Sequence, residues 1–222
     1  MPEPLSPAAL AARIADAAQT AAAAAAQQGH GLRLVVEGPV ADDARAVADD
    51  VAAALRDRAV PVARVLTEEF LRARSLRLER GPDDPEAFFE GWYDLAALRR
   101  EVLDPLGPCG SMQWLPGLRD PRTDRPLRRP AVPAPPGTVA VVDGLFLGRW
   151  DVADAVDLRV FLDVSPAARA RRVPADERAR VLPAWERYLE WCDPAASAAF
   201  VVRHDRPSHP ALLAERAVTL SG

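Results

Sequence analysis

Three carboxylates stand just after apolar runs, at the ends of predicted strands. Glu68 and Glu69 follow residues 61–66, a short β-branched run, and Asp143 follows residues 138–142, the clearest buried run in the sequence. Carboxylates at the carboxyl end of a strand in an α/β sheet sit where ligands bind, and one directly after a buried parallel strand could hold Mg²⁺ through water. The alternatives are a solvated acidic loop for Glu68 and Glu69 and a turn cap for Asp143. Arg169, Arg171 and Arg172 are spaced along one predicted helix, either as part of a lid over phosphates or as a solvated helix face.

The natural seat for an anion is the turn after residue 37. Leu32, Leu34, Val35 and Val36 run into Gly38, and Val47, Val51 and Leu55 then recur at helical spacing, so the stretch reads as strand, glycine turn, helix. A phosphate-binding loop in this position reads G-x-x-x-x-G-K-[ST], with backbone N–H groups, a lysine and a helix N-terminus aimed at anionic oxygens. Counted from Gly38, the second glycine is Asp43, the lysine is Ala44 and the hydroxyl residue is Arg45. The sequence contains no lysine anywhere; all 28 basic residues are arginine.

The elements that must position these groups are ordinary ones. A chain of 222 residues, 49% hydrophobic and 27% charged, suits one α/β domain over residues 1–222. It has no apolar span for a membrane and no secretory leader, and a cytoplasmic address is expected. Net charge is −4 and arginines alternate with acids, so neither a nucleic-acid nor a membrane partner is expected. Ser6 and Pro7 open an alanine-rich helix over residues 1–30 that packs on the sheet or serves as a dimer contact. Asp83, Asp84 and Pro85 form a turn, and Asp94 caps a helix carrying Leu95, Leu98 and Val102. Phe88, Phe89, Trp92 and Tyr93 are expected in the core, with a ligand platform as the alternative. Residues 104–136, rich in proline, are extended loop or hairpin; 158–164 and 199–202 are strands; 185–191 continue as an amphipathic helix. Cys109 and Cys192 read as plain thiols, His30, His204 and His209 as surface residues, and no metal-ligand spacing is present.

Gly38, Glu68-Glu69-Phe70, DDPEAF with YDL, LDPLGP, TDRP, VVDGLFL, FLDV and YLEWCDP follow one another in an order that resembles the uridine kinase family of P-loop nucleoside kinases, particularly its actinobacterial uridine kinase-like branch. The resemblance runs from about residue 32 to about residue 205. It implies a parallel five-stranded sheet flanked by helices, here with an additional N-terminal helix, and transfer of the γ-phosphoryl of ATP to a nucleoside hydroxyl with Mg²⁺. Glu68 matches the family's proton-accepting acid, Asp143 the acid after the central strand, and Asp83 the acid that contacts ribose. Gly38 and Arg45 fall in the phosphate loop, Arg171 and Arg172 match the arginines that open a short lid at 173–180, and Arg119 lies nearest the base-contacting position.

The loop departs from the family. Asp42 and Asp43 bring two negative charges to the seat of a polyanion, and like charges at about 4 Å repel by about 1 kcal/mol in water and by several at lower dielectric. ATP binding is expected to be weak or absent. The expected function is a uridine kinase-like protein that has lost phosphoryl transfer and binds a small nucleoside-like ligand or a partner. The alternatives are an active kinase with a non-standard phosphate grip, using ATP and Mg²⁺, and a regulatory or structural subunit that pairs through its N-terminal helix.

Overall fold

A computed structural model describes residues 2–218 and 220. Strand β1 (Glu3–Pro4) precedes helix α1 (Pro7–Gln27), whose first turn is capped as expected, the Ser6 hydroxyl accepting the Ala9 N–H at 3.1 Å with Pro7 in the first helical position. Leu10, Ile14, Ala18, Ala21 and Ala25 recur every three to four residues and are buried. Strand β2 (Leu32–Glu37) leads into α2 (Ala41–Asp57), and β3 (Val62–Leu66) ends in a single 3₁₀ turn over Thr67–Phe70.

Short helices α3 (Arg74–Arg77), α4 (Pro85–Gly91) and α5 (Leu95–Leu98) follow. Asp84 and Asp94 cap the last two through the Ala87 and Ala97 N–H groups. The chain then winds through a π turn into α6 (Asp104–Leu106), so the proline-rich stretch starts helical before β4 (Gln113–Trp114) and β5 (Val132–Pro133) pair as a short antiparallel ladder. Strands β6 (Val139–Gly144) and β7 (Leu158–Asp163), helices α7 (Pro166–Arg172), α8 (Arg178–Cys192) and α9 (Pro194–Ser197), and strands β8 (Phe200–Arg203) and β9 (Ala211–Glu215) complete the order.

The sheet runs β1-β9-β8-β7-β2-β6-β3. Its five members from β8 to β3 are all parallel, as the resemblance implies, with β2 at the centre: Val36 lies opposite Val160 on one side and Asp143 on the other. Two antiparallel strands extend it to seven, β9 along β8 and β1 along β9. The resemblance implies only the five parallel strands; in β9, Ala-Leu-Leu-Ala-Glu has no β-branched residue, and pairing with an open sheet edge overrides its helical preference.

Alternation along the strands divides the core. Leu32, Leu34, Val36, Val139, Val141 and Leu158 face α1 and α2, while Val35, Ala140, Val142 and Phe161 face the aromatic cluster of α4 and α8. Phe88, Phe89, Trp92 and Tyr93 are buried in that second layer, Phe88 meeting Phe146 edge-on at 5.4 Å. Among the described residues no helix is long and apolar enough to cross a membrane.

Candidate functional site

The carboxyl ends of β2, β3 and β6 converge, and the groups singled out by sequence come together there only in part. Between Glu37 and Ala41 stand just Gly38, Pro39 and Val40. Gly38 is packed so closely that an added Cβ would lie 3.0 Å from that of Leu162. Helix α2 has already begun two residues before position 43, so Asp43, Ala44 and Arg45 lie in its first turns and not in a loop. Alanine favours this, and acidic residues in a first turn, Asp42 and Asp43, interact well with the positive end of the helix dipole. The chemistry that disfavours a phosphate is good chemistry for starting a helix.

Asp42 is exposed, whereas Asp43 turns toward α7 and the end of β8. Its carboxylate pairs closely with Arg172, whose second amino group donates to the His204 carbonyl at 2.8 Å. Arg172 is therefore committed to Asp43, and Arg171 is exposed; neither extends over the strand ends as lid arginines would. His204 and His30 are buried, a correction to their expected surface position: His204 is covered beside Asp43, and His30 Nδ1 lies 2.8 Å from the Gly31 carbonyl.

Arg45 takes the other direction. Its Nη2 lies 2.6 Å from Glu68 Oε2 and its Nε lies 3.9 Å from Asp143 Oδ2. On the second oxygen of Asp143 sits Arg64 of β3, at 2.5 Å, itself held by Asp49 at 2.8 Å and by the Val65 and Val141 carbonyls. The Thr67 hydroxyl donates to the Asp143 carbonyl at 2.6 Å and fills the space a side chain at Gly144 would need, which keeps Glu68 beside Asp143.

Burial pushes the Asp143 carboxyl above its ordinary range, against the pull of Arg64 and Arg45. The folded state thus holds that proton more tightly than the unfolded chain does. This group's contribution to stability falls as pH rises from the ordinary carboxylate range through the raised value. Asp143→Asn is expected to flatten that fall, read as urea midpoints between about pH 4 and pH 7; an unchanged slope would assign the dependence to other carboxylates.

Next to Glu68 opens a cavity of about 250 Å³ lined by Phe88, Trp92, Tyr93, Glu177 and Arg180. The Arg180 guanidinium lies over the Trp92 ring, 4.9 Å from its centroid. Trp92 Nε1 and Arg180 Nε are buried donors without a hydrogen-bond partner. Burial raises the pKa of the Tyr93 phenol, with Glu68 and Glu177 adding to the effect, so the hydroxyl stays protonated. An aromatic wall with several donors and two carboxylates suits a compact ring bearing hydroxyl groups.

Asp83 is exposed and does not line this cavity, and Arg119 is spent on its own turn, donating to the Asp124 carbonyl at 2.5 Å. Glu69 anchors the proline-rich segment, pairing with Arg129 at 2.7 Å and accepting the Leu118 and Arg119 N–H groups on its carbonyl. Within the expected lid, Glu177 and Arg180 are what reach the cavity. Sequence reading missed Arg64, Glu177 and Arg180, and left Trp92 and Tyr93 between core and ligand platform; both are buried and line the cavity. One signal was available for Arg64: an arginine interrupts each of the apolar runs Leu-Arg-Leu-Val-Val, Val-Ala-Arg-Val-Leu and Leu-Arg-Val-Phe-Leu, and a charge inside a strand needs a partner.

Mg²⁺ with ATP, which the resemblance implies, does not fit these residues as they are arranged. Asp143 and Glu68 each carry an arginine, the guanidinium of Arg45 stands where a metal would meet them, and among the described residues no extended loop between β2 and α2 presents N–H groups to phosphates. Among the described residues no cluster of three or more His, Cys, Asp or Glu side chains could hold a metal ion.

No protein-family model and no curated protein matches the chain. Among solved structures it is similar to a possible uridine kinase from Bacillus stearothermophilus, with 20% identity, a TM-score of 0.64, and 78% of this chain and 88% of that one covered. A putative fructose transport system kinase from Silicibacter sp. TM1040 aligns at 18% identity over 81% of this chain and 91% of that one, with a TM-score of 0.45. The parallel strand order, the flanking helices and the first of these likenesses together make this the P-loop kinase fold.

Proposed function

We propose that the chain is a uridine kinase-like protein that has lost ATP-dependent phosphoryl transfer and binds a small nucleoside-like ligand in the cavity beside Glu68. The observation that carries this reading is the Arg45 guanidinium, 2.6 Å from Glu68 and 3.9 Å from Asp143. Phosphoryl transfer rests on positioning and on neutralising phosphate charge with metal and cations. Here the cation neutralises the protein's own acids instead. The ligand side is supported by the aromatic and polar lining of the cavity, and a nucleoside is the class suggested by the possible uridine kinase whose fold this chain shares.

A second reading, an active kinase that grips phosphate through Arg45, is favoured by the placement of Glu68 and Asp143 at the carboxyl ends of parallel strands. Calorimetric titration of the purified chain with uridine and, separately, with Mg²⁺ and ATP decides between them. The first reading expects saturable uridine binding, weakened about tenfold or more in Glu68→Gln, and no ATP binding at about 1 mM. ATP-dependent turnover that disappears in both Glu68→Gln and Asp143→Asn would replace it with the second.

A further inference from the structure

A second cavity, of about 290 Å³, lies between α1, α2 and the segment after β8, and shares no lining residue with the one at Glu68. Asp43, Ala46, Val47 and Asp50, spaced i, i+3, i+4 and i+7, form its α2 wall, and Leu10 of α1 faces them. The lining is apolar apart from Asp43, Asp50, His204 and Ser208.

Two of those groups are unsatisfied. Asp43 Oδ2 and His204 Nδ1 lie 3.4 Å apart, their side chains 11% and 4% exposed, and neither makes a hydrogen bond. The other oxygen of the same carboxylate is held by Arg172. A buried polar atom left without a partner has lost its water without compensation, and a ligand that hydrogen-bonds to both atoms recovers that cost. Arg172 offsets one of the two negative charges contributed by Asp43 and Asp50, so the remaining charge favours a cation.

We propose that this cavity binds a small organic amine, its ammonium N–H groups donating to Asp43 Oδ2 and His204 Nδ1 and its apolar body lying between Leu10 and Val47. Size supports a body of one ring and a short chain, since an apolar cavity of about 150 Å³ accommodates a single benzene. The assignment does not depend on the reading of the site at Glu68. It also gives Asp43, at the position of a phosphate loop's second glycine, a role of its own.

The test is calorimetric titration of the full chain with phenethylamine, beside phenethyl alcohol as the neutral counterpart. The amine is expected to bind at one site, about tenfold or more tighter than the alcohol. Asp43→Asn, which keeps the shape of the side chain, should cost about tenfold in amine affinity. Ala46→Phe, at an exposed position on the cavity wall, should abolish amine binding while leaving the melting temperature near that of the parent. No saturable binding of the amine up to about 10 mM, equal affinity for amine and alcohol, or binding that survives Ala46→Phe overturns the proposal.

Discussion

Arg159→Met is expected to destabilise the fold by about 3–5 kcal/mol, because it leaves a buried carboxylate without its counter-charge. Glu37, the last residue of β2, is fully buried. Arg159 donates to one of its oxygens at 2.6 Å and the Tyr188 hydroxyl to the other at 2.5 Å, while the Gly148 N–H donates to the Tyr188 oxygen at 2.7 Å. Gly148 approaches so closely that a Cβ there would lie 2.3 Å from that oxygen. Every member of the network depends on the next. In a chain of this size each kcal/mol moves the melting temperature by about 2–4 °C, so calorimetry should register a drop of roughly 6–20 °C.

The double variant Glu37→Gln, Arg159→Met removes both charges and should lose less than the two single variants added together, by about 0.5–3 kcal/mol. Additive losses would mean that water reaches the pair and screens it. The network also ties the strand end beside Gly38 to α8, which carries Arg180 and Val181 of the cavity beside Glu68. Ligand affinity in Arg159→Met is therefore expected to fall along with stability.

Rebuilding a phosphate loop by substitution is expected to fail, and Ala44→Lys to be its most costly step. Ala44 is fully buried in the core layer shared by α1, α2 and the sheet. A lysine there overpacks that layer, which costs about 1–3 kcal/mol, and must either bury an unpaired ammonium or give up its proton. The total is expected to exceed about 3 kcal/mol. Adding Asp43→Gly removes the partner of Arg172, and Arg45→Thr releases Glu68. The triple variant should melt well below the parent and gain no affinity for ATP at about 1 mM. A triple variant with the parent's melting temperature and micromolar ATP binding would show that the first turns of α2 can unwind into a loop.

Much of the architecture was legible in local pattern. Ser6-Pro7 and Asp94 announced helix starts through their own side chains, whereas Asp84-Pro85, read as part of a turn, opens α4; the apolar runs at residues 32–36, 139–142 and 158–162 announced buried strands. The order of the acids along the chain likewise placed Glu68 and Asp143 at strand ends. What was not legible was where each charge is spent. Arg64, Arg119, Arg172 and Glu69 all end on partners far along the chain or in their own turns, and sequence spacing does not say which partner a long side chain reaches.

The sequence by itself determined that the element order suits a parallel α/β sheet and that residues 38–45 lack a phosphate loop's second glycine, lysine and hydroxyl. Only the tertiary structure decided the fate of the charges put in their place. Successive residues of a helix turn by about 100°, so three neighbours at the start of α2 face three ways. Asp43 is directed to Arg172 and His204, Ala44 into the core, and Arg45 to Glu68 and Asp143. That outcome depends on the helix beginning at Ala41, and on α1, the sheet and the end of β8 fixing its rotation.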